Sequence, residues 1–207
     1  MYRHTRNYEN FEKAFFNGCG KYGIPIIEKT DFKSHNFIPF NFAMTEKQKE
    51  NKSVHFFIDD YQFERIWKNP DRYIPILKKF NQVMSPDFST YTDYPKALQI
   101  YNHYRKHWVG AYMQINGIDV IPTISWSDKD SFEWCFDGEP DNGTVAVSSV
   151  GCMDNENSKK LFIDGYNEMI KRLKPKTIIF YGKVPKQCEG NIVKIKSFQE
   201  KFNGGKK

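Results

Sequence analysis

The sequence lacks most of the features that assign a protein to a class at sight. No run approaches the roughly 20 apolar residues that cross a bilayer, so no membrane-spanning helix and no membrane partner are expected. The first residues, MYRHTRNYENFEKAFF, are charged and aromatic and do not read as a secretory signal, which makes the cytoplasm the expected setting. The four cysteines, Cys19, Cys135, Cys152 and Cys188, include no C-x-x-C pair. That spacing argues against a zinc ribbon or dithiol motif and for inert thiols. There is no G-x-x-x-x-G-K-[ST] and no G-x-G-x-x-G after a predicted strand, so any nucleotide would be held without the usual phosphate loops. H-E-x-x-H is absent, as are internal repeats and low-complexity linkers.

What is present points to one folded unit. The chain has 207 residues, 39% of them hydrophobic and 16% aromatic, enough for one substantial core and too many aromatics for a disordered chain. The net charge of +6 suits a polyanionic partner. Much of the surplus sits toward the C-terminus, at Lys171, Arg172, Lys174, Lys176, Lys183, Lys186, Lys194, Lys196, Lys201, Lys206 and Lys207, whereas Asp119 to Asn157 is acidic. A basic flank beside an acidic patch is therefore expected.

Residues 1–52 read as an irregular N-terminal arm packed on the domain. Gly18, Gly20, Gly23, Pro25 and Pro39 interrupt its aromatic runs, and one short helix is expected near Asn7 to Phe16. Phe32, Phe37, Phe40 and Phe42 read as its anchors. Residues 53–200 form a single α/β domain and 201–207 a basic tail. Val54 to Ile58 reads as a strand. Phe63 to Phe80 reads as two helices broken near Asn69 by Pro70, and Val83–Met84 as a very short strand. Tyr94 to Asn116 is the longest helical pattern, with Asp93 as N-cap and Gly117 closing it. Val120 to Ser125 is a strand interrupted by Pro122, which suits an edge. A short helix over Lys129 to Phe136, a strand over Thr144 to Ser149, a helix over Asn157 to Leu173 and strands at Thr177 to Tyr181 and Ile192 to Ile195 complete the reading. Strands alternating with helices predict right-handed crossovers and a mainly parallel sheet of about five or six strands. That falls short of the eight strands of a complete barrel. An open doubly wound sheet and a partial barrel both fit.

In parallel α/β folds ligands sit at the carboxyl ends of the strands. Several apolar runs here end in small polar or acidic residues. Asp59, Asp60, Ser85, Asp87, Ser125, Trp126, Ser127, Asp128, Ser148, Ser149 and Gly151 all follow predicted strands and should converge. The competing reading of each is helix capping. As a site, Asp59, Asp60, Asp87 and Asp128 are the candidate catalytic acids. Asp59, Asp87 and Asp128 are the candidate ligands of a hard cation such as Mg²⁺. Ser85, Ser125, Trp126, Ser148, Gly151 and the guanidinium of Arg105 are the candidate ligand contacts. Tyr101, Tyr104, Trp108 and Tyr112 make an aromatic stripe, readable as a stacking surface or as core. His103 and His107 stand four apart on the long helix, a metal-ligand spacing, but read as structural; none of the histidines follows a predicted strand end. Cys152 is a minor candidate nucleophile.

Six segments carry a resemblance: FIDDYQFERIWKNPDRYIPILKKF, SPDFSTYTDYPKALQIYNHYRKHWVGAYMQ, VIPTISWSD, FEWCFDG, VAVSSVGC and IIFYG. Together, from Val54 to Gly182, they resemble a family identified as domain of unknown function 4417, found in phages, plasmids and integrated elements of bacteria. The resemblance implies a phage or mobile-element protein acting in the host cytoplasm and brings no catalytic assignment. The residues themselves suggest nucleic-acid or nucleotide binding at the strand ends, with metal-dependent phosphodiester chemistry if the acids converge. The alternatives are a non-catalytic protein that inhibits a host or anti-phage defence complex, and a small-molecule enzyme of a mobile-element metabolic module.

Overall fold

A computed structural model describes residues 9–34, 36–198 and 200. Seven short strands alternate with four α-helices in the order β1 (Phe37–Pro39), β2 (Ser53–His55), α1 (Asp60–Lys68), α2 (Pro70–Leu77), β3 (Gln82–Met84), α3 (Lys96–Ile115), β4 (Val120–Ile121), β5 (Thr144–Ser148), α4 (Glu156–Leu173), β6 (Thr177–Tyr181) and β7 (Ile192–Ile195). The protein is mixed α/β, and the pairings between these strands are parallel.

The strands form a four-stranded sheet, β1-β2-β3-β4, and a three-stranded sheet, β5-β6-β7. One parallel bridge between Thr123 and Ala146 joins them. Pro122 explains why the joint is so short. The Ala146 amide donates to its carbonyl and the Ile124 amide donates to Ala146, but Pro122 has no N–H to extend the ladder. Spatial order follows chain order throughout, without the reversal that a doubly wound sheet requires. Seven strands stand where five or six were expected, because Phe37–Pro39 adds an edge strand beside β2.

Alternation along the strands sets the layers. Val145, Val147, Ile178 and Phe180 pack with Phe162, Tyr166, Met169 and Leu173 of α4. Ala146, Ile179, Tyr181 and Ile195 instead join Val54, Phe56, Phe57, Val83 and Val120 in a second cluster. The two sheets thus meet over an apolar centre, where the Tyr181 ring lies 5.0 Å from those of His55 and Phe57. Each large side chain buried here contributes roughly 1.5–3 kcal/mol.

The helices begin and end for local reasons. Asn155 caps α4 by accepting from the Ser158 amide, and Lys174 turns left-handed at its other end. Asp93 does not cap α3; Pro95 stands at that position, and the Gln99 side chain folds back to the carbonyls of Tyr91 and Tyr94. Gly117 closes α3 at φ +79. The helix expected over Asn7 to Phe16 does not form in the described part of that stretch. Glu9 and Asn10 are both left-handed, at φ 53 and 60, which breaks helical propagation; Asn7 and Tyr8 lie outside the described residues. Phe37 and Phe40 are buried anchors and Phe32 packs on the core, but Phe42 is exposed. Residues 201–207 lie outside the described residues.

Candidate functional site

The carboxyl ends of the strands surround a cavity of about 1060 Å³. Asp59, Asp60, Asp87, Ser125, Trp126, Ser148 and Gly151 all line it, together with Phe57, Phe88, Phe162 and Tyr181. Among the described residues, no lysine or arginine lines it.

The loop after β3 forms one wall and is held from two helices. Asp60, the first residue of α1, accepts from the Ser89 amide at 3.0 Å and from its hydroxyl at 2.8 Å. Asn102 of α3 donates to the Ser89 carbonyl at 2.6 Å. Asp60 is therefore a clamp on the loop that carries Asp87. Asp87 is part-buried, and among the described residues its carboxylate has no hydrogen-bond partner. Burial raises its pKa from 3.8 to about 7, against the attraction of Lys106 and with a smaller push from Asp60. Asp59 is exposed, and its carboxylate stands 3.5 Å from the Gln62 side-chain amide.

The opposite wall comes from β4, β5 and β6. Trp126 lies against α4, where a Cβ on Gly165 would fall 2.3 Å from the indole; glycine makes that approach possible. Ser148 accepts from the Val150 amide at 3.2 Å, and Gly151 follows in a left-handed turn at φ +77. Ser127 is buried against the cavity with its hydroxyl unpartnered. Cys152 also lines the cavity, but burial, with Asp87 and Asp154 nearby, pushes its thiol up to about 11. So little thiolate at neutral pH makes it a poor nucleophile.

Three expected members lie elsewhere. Asp128 caps the 3-10 turn at Lys129–Glu133, accepting from the Ser131 amide. Ser85 is fully buried and ties β3 to β4, its hydroxyl accepting from the Thr123 amide. Arg105 spends its guanidinium internally: one nitrogen donates to both oxygens of Glu64 at 2.9 Å, another to Asn102, and the plane lies 4.0 Å over Phe88. The aromatic stripe is core: Trp108 is fully buried, stacked on Tyr112 and edge-on to Trp67. Asp59, Asp87 and Asp128 do not form a convergent cation-binding group. Among the described residues the one such group is His103, His107 and Glu139.

Most other lining residues were not singled out from sequence, and two of them show why. His55 ends β2 and lines the cavity, accepting the Phe57 amide at Nδ1; a strand read as far as Ile58 concealed this position. Phe162 came only as a helix-core residue, yet it borders the cavity beside Trp126.

The chain is similar to Gene 1 protein of Mycobacterium phage L5, at 39% identity over 84% of this chain and 76% of the phage protein. It is also similar to Gene 1 protein of Mycobacterium phage D29, at 34% identity over 88% of this chain and 68% of that protein. No solved structure matches. The family described as Domain of unknown function (DUF4417) matches residues 16–199, and the chain belongs to it.

Proposed function

We propose that this phage-type protein binds the base or nucleoside portion of a nucleic-acid-derived ligand in the strand-end cavity, with Asp87 as the proton-exchanging group. The carrying observation is an Asp87 carboxyl, unpaired among the described residues and poised near pH 7, in an aromatic-walled cavity whose described lining holds no lysine or arginine. Phe57, Tyr181, Trp126 and Phe162 supply faces for a planar body, and the unpartnered Ser127 hydroxyl adds a polar contact. Base–aromatic stacking is worth about 1–3 kcal/mol per base. The volume suits a nucleoside-sized ligand. A group with a pKa near the working pH is suited to both giving and taking a proton. The lining favours a neutral or cationic moiety inside, with any phosphate left at the rim. Tyr91, Phe42 and Phe198 stand exposed there, so the end of a single strand is a fitting form of the ligand. The arrangement of Asp59, Asp87 and Asp128 gives metal-dependent phosphodiester cleavage little support. The strand order, wound one way around an apolar centre, supports the partial-barrel description over the doubly wound one.

Calorimetry with the four nucleosides and their monophosphates tests the proposal. At least one nucleoside should bind, and bind as tightly as or more tightly than its monophosphate. Asp87→Asn should weaken it by tenfold or more. Tighter binding of the monophosphates that depends on added Mg²⁺ would overturn the reading, as would no nucleoside binding at millimolar concentration.

A further inference from the structure

We propose that His103, His107 and Glu139 form a binding site for a divalent transition metal of the zinc class, separate from the strand-end cavity. One ligand atom from each residue lies within 4.8 Å of the others, and none of the three lines the cavity. Both histidines come from one face of α3, four residues apart. Glu139 comes from the turn after Trp134, which approaches because Gly138 has no side chain. A Cβ there would fall 2.4 Å from the Pro25 carbonyl and 2.8 Å from His107 Nδ1.

The hydrogen bonds fix which atoms remain for a ligand. The Pro25 carbonyl faces His107 Nδ1 at 2.8 Å and can only accept, so Nδ1 carries hydrogen. The Asp137 carbonyl likewise faces His103 Nε2 at 3.2 Å. Each ring is thus oriented by a backbone carbonyl on one nitrogen, the support that metal-bound histidines have. The other nitrogens point inward. His107 Nε2 stands 2.9 Å from Glu139 Oε1. His103 Nδ1 and Glu139 Oε2 are both buried without a partner.

A neutral His107 with hydrogen on Nδ1 sets a lone pair against a carboxylate oxygen. Something positive must lie between them. A proton on Nε2 serves that pair but leaves His103 Nδ1 and Glu139 Oε2 unsatisfied. A metal ion satisfies all three. Lys106 holds Glu139 Oε1 and the Thr123 carbonyl, so its ammonium adds repulsion toward any cation. That repulsion weighs most against hard ions, which depend on carboxylate charge, and least against zinc-class ions bound through imidazole. Two histidines and one carboxylate leave a fourth coordination position for water.

Co²⁺ titration of the chelator-treated protein, followed by visible absorption, tests the site. Uptake should saturate at about one ion per chain with bands of tetrahedral or five-coordinate Co²⁺, and Zn²⁺ should displace it. His103→Ala should weaken binding tenfold or more with an unchanged circular dichroism spectrum. A folded wild type that takes up neither ion at about 100 µM would overturn the proposal and leave the gap to a proton on His107. Equal affinity in a folded His103→Ala variant would overturn it too. If that variant does not fold, the wild-type titration decides alone.

Discussion

Replacing Glu139 with alanine should destabilise the protein by about 3–5 kcal/mol in urea denaturation at pH 7, the cost of breaking a buried ion pair. The Glu139 side chain is fully buried, and Lys106 is 1% exposed, donating to it at 2.6 Å. Without the carboxylate, the ammonium keeps only the Thr123 carbonyl as an acceptor. Lys106 and His107 hold the Glu139 pKa below its ordinary value despite burial. The carboxylate's contribution is therefore present above the unfolded value of 4.5 and lost as pH falls through the lower folded one. His103 acts in the same direction: burial, then Lys106 and His107, keep its ring neutral well below 6.5, so below that value the unfolded chain takes up a proton that the folded one refuses, and stability falls with pH. A Lys106→Met, Glu139→Leu double variant should recover most of the loss, because it removes both charges together. A single-variant loss under 1 kcal/mol would show that the pair is open to water.

Asp87→Asn should act in the opposite direction and stabilise the protein at pH 8 by about 1–3 kcal/mol, because the neutral amide escapes the cost of ionising a carboxyl whose pKa burial has raised to about 7. Below pH 3.8 both states of the wild type hold the Asp87 proton. Between 3.8 and about 7 the unfolded chain releases it while the folded chain keeps it, so stability declines as pH rises. Above about 7 the decline ends, because the folded carboxyl is ionised as well. The variant lacks this decline, and its advantage should grow from pH 4 to pH 8 and then level off. A site residue that costs stability is the pattern expected where function, and not folding, keeps it. An advantage that is flat with pH would mean an ordinary, solvated carboxyl.

Much of the secondary structure was legible. Thr177–Tyr181 and Ile192–Ile195 have the apolar continuity of parallel strands, and Pro70 marks the division of α1 from α2. The edge strand Phe37–Pro39 was not legible, because three residues ending in proline carry no period. Convergence of the strand-end loops was readable in outline. Which polar residue faces the cavity was not. Asp60 and Asp128 satisfy nearby backbone amides, as short acidic side chains commonly do. Arg105 went to Glu64, a pairing fixed by how α1 lies on α3. The Glu139 network joins residues 32 and 33 positions apart, beyond any local pattern, and only Gly138 hinted at the close approach.

Carboxyl ¹³C NMR titration of Asp87, assigned by its loss in Asp87→Asn, tests the account most directly. The poised, unpaired acid at the cavity should titrate near 7 in the free protein, and its midpoint should move when a nucleoside binds. A midpoint near the ordinary 3.8, unmoved by any nucleoside, would contradict the account.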